Sequence, residues 1–271
     1  MVKKLFKHEF KYYLRTLPLS YVVLIALGIS SRILQIFQND SDIYSMALFS
    51  SSAMLYFAIA ASTVLTTVAI VLRFYKNLYS SEGYLTLTLP VSFTQHILVK
   101  LVTAVAVQLL NMVAIGIAGA IALSGPSFAD AIMDIFVLLF RELFKIVGWF
   151  NVLLYAIELL VMLVCSLAFS ALVLYACVSI GQTAKKNRIL LSIGCYFIYN
   201  TAVQVLSTAA MIVLSILGEL GVLDFAIDLL VYHPIILIHL LFIVPTIITA
   251  VLSFAIFLLI RSIMSKKLNL E

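Results

Sequence analysis

Two long runs without charged residues, separated by a polar stretch, restrict what this 271-residue chain can fold into. Ile43 to Leu72 contains 30 residues and Leu101 to Ala129 contains 29, and neither run includes Asp, Glu, Lys or Arg. A helix of about 20 apolar residues already crosses the hydrocarbon core of a bilayer. Because unpaired charged and backbone groups are costly in hydrocarbon, the intervening stretch from Arg73 to Lys100 must lie at a membrane surface.

Composition extends this interpretation to the whole chain. It is 64% hydrophobic and 11% charged, whereas soluble domains are about 25% charged. Hydropathy predicts an all-α integral membrane protein, with a single transmembrane domain over residues 1–271. Six spans are expected, at 18–37, 45–72, 93–123, 149–181, 189–217 and 234–260.

The basic residues predict the orientation of these spans. With both termini inside, 14 of the 17 Lys and Arg residues lie on the cytoplasmic side, and only Arg32, Arg141 and Lys145 lie outside. Cytoplasmic loops carry such an excess of basic residues, so both termini are predicted to be cytoplasmic. The net charge of +5 therefore reflects membrane topology and does not indicate nucleic-acid binding.

The N-terminal segment, residues 1–17, has the pattern of an amphipathic helix. Its charged face and its apolar face both follow helical spacing, the first with Lys4, Lys7, Lys11 and Arg15, the second with Phe6, Phe10, Tyr13 and Leu17. Such a helix favours the membrane surface. It is predicted either to form an elbow helix that leads into the first span or to serve only as a positively charged flank.

Two further segments are predicted on the outer side. Residues 127–148 place Asp130, Asp134, Arg141 and Lys145 on one helical face among apolar residues, which predicts an amphipathic helix lying on the membrane surface. Residues 218–233 carry scattered acids and are interpreted as a second element of this kind. A re-entrant structure is the alternative for both segments.

The polar stretch between spans two and three contains a short ordered pattern. Residues Asn77 to Glu82 favour a short helix, and Gly83 is a residue type that commonly follows a helix end. Pro90 ends the next segment, and Ser92 with Gln95 forms a capping box for the third span.

This stretch resembles the corresponding loop of type-2 ABC exporter permeases, in particular those of Gram-positive bacteria. The resemblance is carried by Arg73 to Leu78 and by Glu82 to Ser92. It implies a bacterial plasma-membrane protein with a cytoplasmic coupling loop at 75–92, whose coupling helix docks on a separate ABC ATPase. The implied docking residues are Asn77, Leu78, Tyr79, Ser80, Ser81, Glu82, Gly83 and Tyr84. An ordinary loop without a partner is the alternative.

The same resemblance implies the partners and the substrate class. Two copies, or one copy with a related permease, would enclose the transport pathway, and ATP and Mg²⁺ would bind to the partner ATPase. An amphipathic or hydrophobic peptide, such as an antimicrobial or toxin peptide, is favoured as substrate over a long sugar polymer. The residues do not distinguish export from import, nor a homodimer from a heterodimer.

Motifs for catalysis within this chain are missing from its sequence. It has no phosphate-binding G-x-x-x-x-G-K-[ST] and no H-E-x-x-H, so we expect a transport subunit without its own nucleotide, cofactor or metal site. Four histidines are scattered over both predicted sides of the membrane. The three cysteines lie in apolar runs, where they are expected to act as small packing residues.

Three polar residues within spans are candidate pathway groups. Glu158 lies 24 residues before Gln182, about 36 Å along a helix, which places it at the outer edge of the hydrocarbon. A solvated or loop-paired carboxylate is favoured there over a proton or substrate site. Asn200 and Gln204 are four residues apart, and we expect them to form a polar seam along the fifth span.

Three function classes remain open from the sequence: an ABC exporter permease, an ATP-independent carrier or channel, and a membrane-embedded enzyme. The first is favoured because it accounts for the loop, the six spans and the missing nucleotide site together. Paired broken helices would indicate a carrier, and clustered acids, histidines or serines within the membrane would indicate an enzyme. The sequence shows little of either.

Overall fold

The computed structural model describes residues 2–37, 41–80, 83, 92–124, 148–184, 186–222, 224 and 232–266, with nine more residues between 133 and 147. These residues are almost entirely helical, and no strand occurs among them. The named helices are α1 Val2–Thr16, α2 Pro18–Ile36, α3 Asp42–Tyr79, α4 Phe93–Leu123, α5 Trp149–Gly181, α6 Arg188–Glu219 and α7 Pro234–Lys266. Helices α2 to α7 are long and apolar enough to cross a membrane. The prediction of an all-α membrane protein with six spanning helices is therefore confirmed.

By packing, the chain divides into two compact units. The first comprises Met1–Phe74 and Gln95–Leu143, and the second comprises Tyr75–Thr94 and Phe144–Glu271. The polar stretch between spans two and three thus belongs mainly to the second unit, although α3 and α4 lie mostly in the first. The single transmembrane domain over 1–271 stays a prediction.

The joint between α1 and α2 is one residue long. Leu17 separates the two helices and is buried, while its N–H donates to Tyr13 O at 3.0 Å. Pro18 begins α2, where its fixed φ suits the first helical turn and its missing N–H costs nothing. α1 is thus a separate helix joined to the first span, as the amphipathic pattern predicts. Its position on the membrane surface stays a prediction.

Helix α3 extends beyond the predicted second span at both ends. It begins at Asp42, where the Tyr44 N–H donates to Ser41 Oγ at 3.3 Å, and it continues seven residues beyond Leu72 to Tyr79. Arg73 and Lys76 mark the exit from an apolar run, but no Gly or Pro follows until Gly83, so the helix does not end there. At 38 residues, α3 is about 57 Å long and exceeds the roughly 30 Å hydrocarbon thickness.

The first unit has a small apolar core between α2, α3 and α4. Leu24, Leu55, Ala118 and Ala122 are buried together. Gly28 of α2 lies against α4 so closely that a Cβ there would be 2.6 Å from the carbonyl oxygen of Ala118. The helices approach at this point because glycine has no side chain, as is common between helices in membranes.

The second unit is built on a helical hairpin of α5 and α6, with α7 packed along α5. The connection between α5 and α6 is short and ends at Asn187, which has a left-handed φ of 54° that asparagine tolerates. Such a short turn makes the two helices antiparallel neighbours. They meet closely at Gly181 and Ser192, where a Cβ on Gly181 would be 2.7 Å from the Ser192 N atom.

The predicted outer segments are only partly described. All nine described residues between 133 and 147 are helical, which agrees with the helix predicted at 127–148. Most of them are exposed, among them the apolar Met133 and Ile135 as well as Asp134. Most of the segment 218–233 lies outside the described residues, and the orientation of both segments stays a prediction.

Candidate functional site

The main polar cluster of the first unit contains one carboxylate and two cations from three helices. Glu9 of α1 binds Arg73 of α3 through Oε2 and Nε at 3.0 Å, and it binds Lys100 of α4 through Oε1 and Nζ at 3.1 Å. Only 2% of Glu9 and 4% of the Lys100 side chain are exposed. Arg73 and Lys100 are the first and last residues of the polar stretch, so Glu9 holds the two helices together where that stretch leaves and rejoins them.

Aromatic side chains of α1 surround this cluster. The Tyr12 ring lies beneath the Arg73 guanidinium, with Cζ 4.5 Å from the ring centroid, a favourable cation–π distance. Tyr13 is buried, and its pKa is raised by that burial and by the nearby Glu9 charge. We call Glu9, Arg73, Lys100, Tyr12 and Tyr13 the Glu9 cluster.

The charges within the Glu9 cluster determine the ionisation of its carboxyl group. Burial by itself would raise the pKa of Glu9. The charges of Lys100 and Arg73, with their hydrogen bonds, outweigh burial and hold the pKa below its ordinary value. The carboxylate is therefore ionised at neutral pH, and the cluster is a structural ion-pair network rather than a proton donor.

Three of the predicted docking residues are buried at the end of α3. Asn77, Leu78 and Tyr79 form the last turn of α3 and are buried, with Tyr79 only 3% exposed. The Tyr79 hydroxyl donates to Ser179 Oγ of α5 at 2.9 Å. The Leu78 and Tyr79 side chains are thus packed within this chain, and the docking role that the resemblance implies for them stays a prediction.

The remaining docking residues lie at or beyond the end of α3. Ser80 is half-buried and donates to Lys76 O. Gly83 is buried and its N–H donates to Ser80 O at 2.7 Å, which closes a turn after α3. Ser81, Glu82 and Tyr84 lie outside the described residues, so their role in docking stays a prediction. A separate short helix is predicted to begin at Asn77. In the structure, Asn77 to Tyr79 are instead the end of α3.

Glu158 is paired with a residue of another spanning helix. Its Oε1 lies 2.7 Å from His239 Nδ1 of α7, and both side chains are half-buried. Tyr155 packs against the His239 ring at 4.6 Å between ring centroids and donates its hydroxyl to Ile235 O at 3.3 Å. Glu158 is thus paired between spans, an arrangement that its position in the sequence alone does not predict.

The polar seam predicted on the fifth span lies on an exposed face of α6, and its role in a pathway stays a prediction. Asn200 and Gln204 are exposed, and Asn200 donates only to Tyr196 O of its own helix. A buried polar contact instead joins α3 and α4, where Ser62 Oγ donates to Asn111 Oδ1 at 3.2 Å. Burial of Ser62 and Asn111 depends on helix packing, which the span-by-span pattern does not specify.

Two cysteines of the second unit meet across the α5–α6 hairpin. Cys177 lies one turn before Gly181, and Cys195 lies one turn after Ser192, so the close Gly181–Ser192 contact brings them opposite each other. Their side chains interact. Cys165 lies three turns earlier on α5, without this opposite neighbour.

This register predicts the outcome of a thiol cross-linking experiment. Dibromobimane, which becomes fluorescent when it bridges two thiols, is expected to label the native protein through Cys177 and Cys195. The signal should survive Cys165→Ser and disappear in Cys177→Ser or Cys195→Ser. Equal fluorescence from all three variants would contradict the hairpin register.

Among the described residues, no group of three or more His, Cys, Asp or Glu side chains could hold a metal ion. The chain matches no protein-family model, no curated protein and no solved structure.

Proposed function

We propose that this chain is the membrane permease subunit of an ATP-driven ABC exporter, powered by a separate ATPase subunit that binds ATP and Mg²⁺. The observation that carries the proposal is the Glu9 cluster, which joins both ends of the loop that resembles an ABC coupling loop. An ordinary connecting loop does not need a buried three-helix ion pair at its base. A loop that receives a mechanical load does, because both of its helices must move with it.

The contacts beside the loop support a route for that load. Arg73 and Lys100 connect it to α1 through Glu9, within the first unit. Tyr79 connects the end of α3 to α5 through Ser179, within the second unit. A force on residues 80–92 would therefore act on α1 through one set of buried contacts and on α5 through the other. Rigid helices joined by buried polar contacts can carry such coupling.

Leu78 and Tyr79 are buried within this chain, which leaves fewer residues for docking on the ATPase. Docking is assigned to the part of the loop after α3, with Tyr84 as the apolar anchor and Glu82 as the charged contact. Tyrosine suits this role because it buries a large area at low entropic cost and retains a polar group. Tyr79 acts inside the chain, as the contact that joins the loop to α5.

A second permease copy, or a related permease, completes the proposed transporter. Helix α6 has no buried residue, and Asn200 and Gln204 are exposed on it. Exposed amides within a spanning helix are costly in lipid, so they favour a neighbouring chain or a water-filled pathway beside α6. An amphipathic or hydrophobic peptide would fit a pathway of isolated amides among apolar residues.

The test is to purify the native protein in mild detergent and identify its companions. An ABC ATPase should co-purify, and Tyr84→Asp should weaken this association by about 5- to 150-fold, as for a hot-spot residue of about 1–3 kcal/mol. Tyr232→Asp, which changes an exposed tyrosine in the predicted outer segment, serves as the control. Absence of an ATPase, or unchanged association in Tyr84→Asp, would remove the support for an exporter.

One observation favours an ATP-independent carrier instead. The Glu158–His239 pair joins two ionisable groups between spans, an arrangement found in proton relays. If transport in vesicles proceeded without ATP, required a pH gradient and stopped in Glu158→Gln, the carrier would replace the exporter. Transport that requires ATP and persists in Glu158→Gln would support the exporter.

A further inference from the structure

An open apolar groove of about 830 Å³ runs between α2 and α3 in the first unit. Leu19, Val23 and Leu27 form one wall, and its floor on α3 is made largely of small side chains, among them Ala58 and Ala61. Leu19 and Val23 are exposed, so the groove opens sideways to the surroundings of the helices. For a membrane-spanning chain, those surroundings are lipid.

The groove is long enough to cross roughly one leaflet or more. Its α2 wall, from Leu19 to Leu27, extends over about 12 Å, and its α3 floor, from Ala53 to Ala69, extends over about 24 Å at 1.5 Å per residue. Half of the hydrocarbon core is about 15 Å thick. An acyl chain that enters at the α1 end would therefore lie along the groove through the leaflet at which α1 is located.

The entrance of the groove lies beside a basic surface. Thr16 and Leu17 line this end, directly after Arg15 at the end of α1. Lys7, Lys11 and Arg15 are exposed and lie on one face of α1. The only acid of α1, Glu9, is buried in the Glu9 cluster, so the exposed charge of this helix is entirely positive.

We propose that this groove and the basic face of α1 form a binding site for one anionic phospholipid, with an acyl chain between α2 and α3 and the headgroup beside Arg15. Small residues on α3 provide room for the chain, and the positive surface selects a headgroup with net negative charge. A basic residue near the membrane surface is worth about 1 kcal/mol toward anionic lipid, equivalent to roughly five-fold in affinity. The site does not depend on the proposed transport function.

The experiment is native mass spectrometry of the detergent-purified protein with phosphatidylglycerol or phosphatidylcholine of matched acyl chains. We expect the first phosphatidylglycerol to bind at least about five-fold more tightly than phosphatidylcholine. Arg15→Gln should weaken phosphatidylglycerol about five-fold and leave phosphatidylcholine unchanged. Arg261→Gln, which removes an exposed basic residue of α7, should change neither lipid.

The groove itself is tested by filling it. Ala61→Phe should abolish the tight first phosphatidylglycerol, whereas Ala60→Phe should not, because Ala60 is exposed and does not line the groove. Thermal unfolding of both variants verifies that they are folded. Equal binding of the two lipids, or undiminished binding in Ala61→Phe, would overturn the proposal. A third outcome would also overturn it: the native protein is a dimer, Ala61→Phe dissociates that dimer, and neither lipid is preferred. The groove would then hold a second copy of this chain.

Discussion

Replacing Glu9 with glutamine is expected to lower the free energy of unfolding by about 3–5 kcal/mol. The variant retains the size of the side chain but removes the negative charge that Lys100 Nζ and Arg73 Nε contact at 3.1 and 3.0 Å. Lys100 is only 4% exposed, so water cannot replace the carboxylate without a change in packing. Removing one member of a buried ion pair costs more than the pair itself contributes, because the remaining charge stays in a medium of low dielectric constant.

Thermal or denaturant unfolding of the detergent-purified protein measures this effect. Glu219→Gln is a suitable control, because Glu219 is an exposed acid at the end of α6. A Glu9→Gln variant as stable as the Glu219→Gln variant would show that the three-helix ion pair does not contribute to stability. In that case the mechanical role assigned to the Glu9 cluster would also lose its basis.

The stability contributed by Glu9 is also expected to depend on pH in a defined direction. Its pKa in the folded protein lies below the ordinary value of 4.5. The contribution is therefore fully present above pH 4.5 and is lost as the pH falls through the lower folded-state pKa. The native protein should lose stability on acidification below pH 4.5 more steeply than Glu9→Gln, which lacks the titrating group.

Replacing Gly181 with valine is expected to separate α5 from α6 at the start of the hairpin. Even a Cβ at this position would lie 2.7 Å from the N atom and 2.8 Å from the Cα atom of Ser192. Backbone atoms cannot move aside as a flexible side chain can, so the helices themselves must shift. We expect a cost at or above the upper end of the roughly 1–3 kcal/mol typical of overpacking.

Two measurements distinguish this shift from a general loss of folding. The Gly181→Val variant should unfold at lower temperature, and it should also lose dibromobimane bridging between Cys177 and Cys195, one turn from the contact. Gly194→Val is the matched control, because a Cβ at Gly194 meets no atom within 4 Å. If Gly181→Val preserved both stability and bridging, the close approach of α5 and α6 would be disproved.

The positions of the spanning helices could be predicted because they depend on local composition. A run such as Ile43 to Leu72 has to be helical in lipid, where every backbone group must form its hydrogen bond within the segment. The end of α3 was less predictable, because Arg73 and Lys76 indicate where hydrocarbon ends and not where the helix ends. Gly83 is a better indication of the helix end than the first charged residue.

Contacts between helices were not predictable from the same pattern. Glu9 lies on α1 among five basic residues, and nothing in its local sequence indicates that it would be buried between Arg73 and Lys100, 64 and 91 residues away. Tyr79 lies in a polar stretch, where an exposed loop residue would be expected. In the structure it donates a hydrogen bond to Ser179, 100 residues later. Asn200 and Gln204 have the spacing of a polar seam, and only the structure shows that both are exposed on α6.

The sequence by itself determined that this is a membrane protein with six helices long and apolar enough to span a bilayer. Those properties follow from the transfer energies of residues that are close together in the chain. Only the tertiary structure decided which polar groups pair. These pairs are Glu9 with Arg73 and Lys100, Glu158 with His239, and Cys177 with Cys195. In lipid the apolar surfaces of all spans are equivalent, so the neighbours of each helix are chosen by close contacts such as those at Gly28 and Gly181, which depend on the complementary shapes of distant segments.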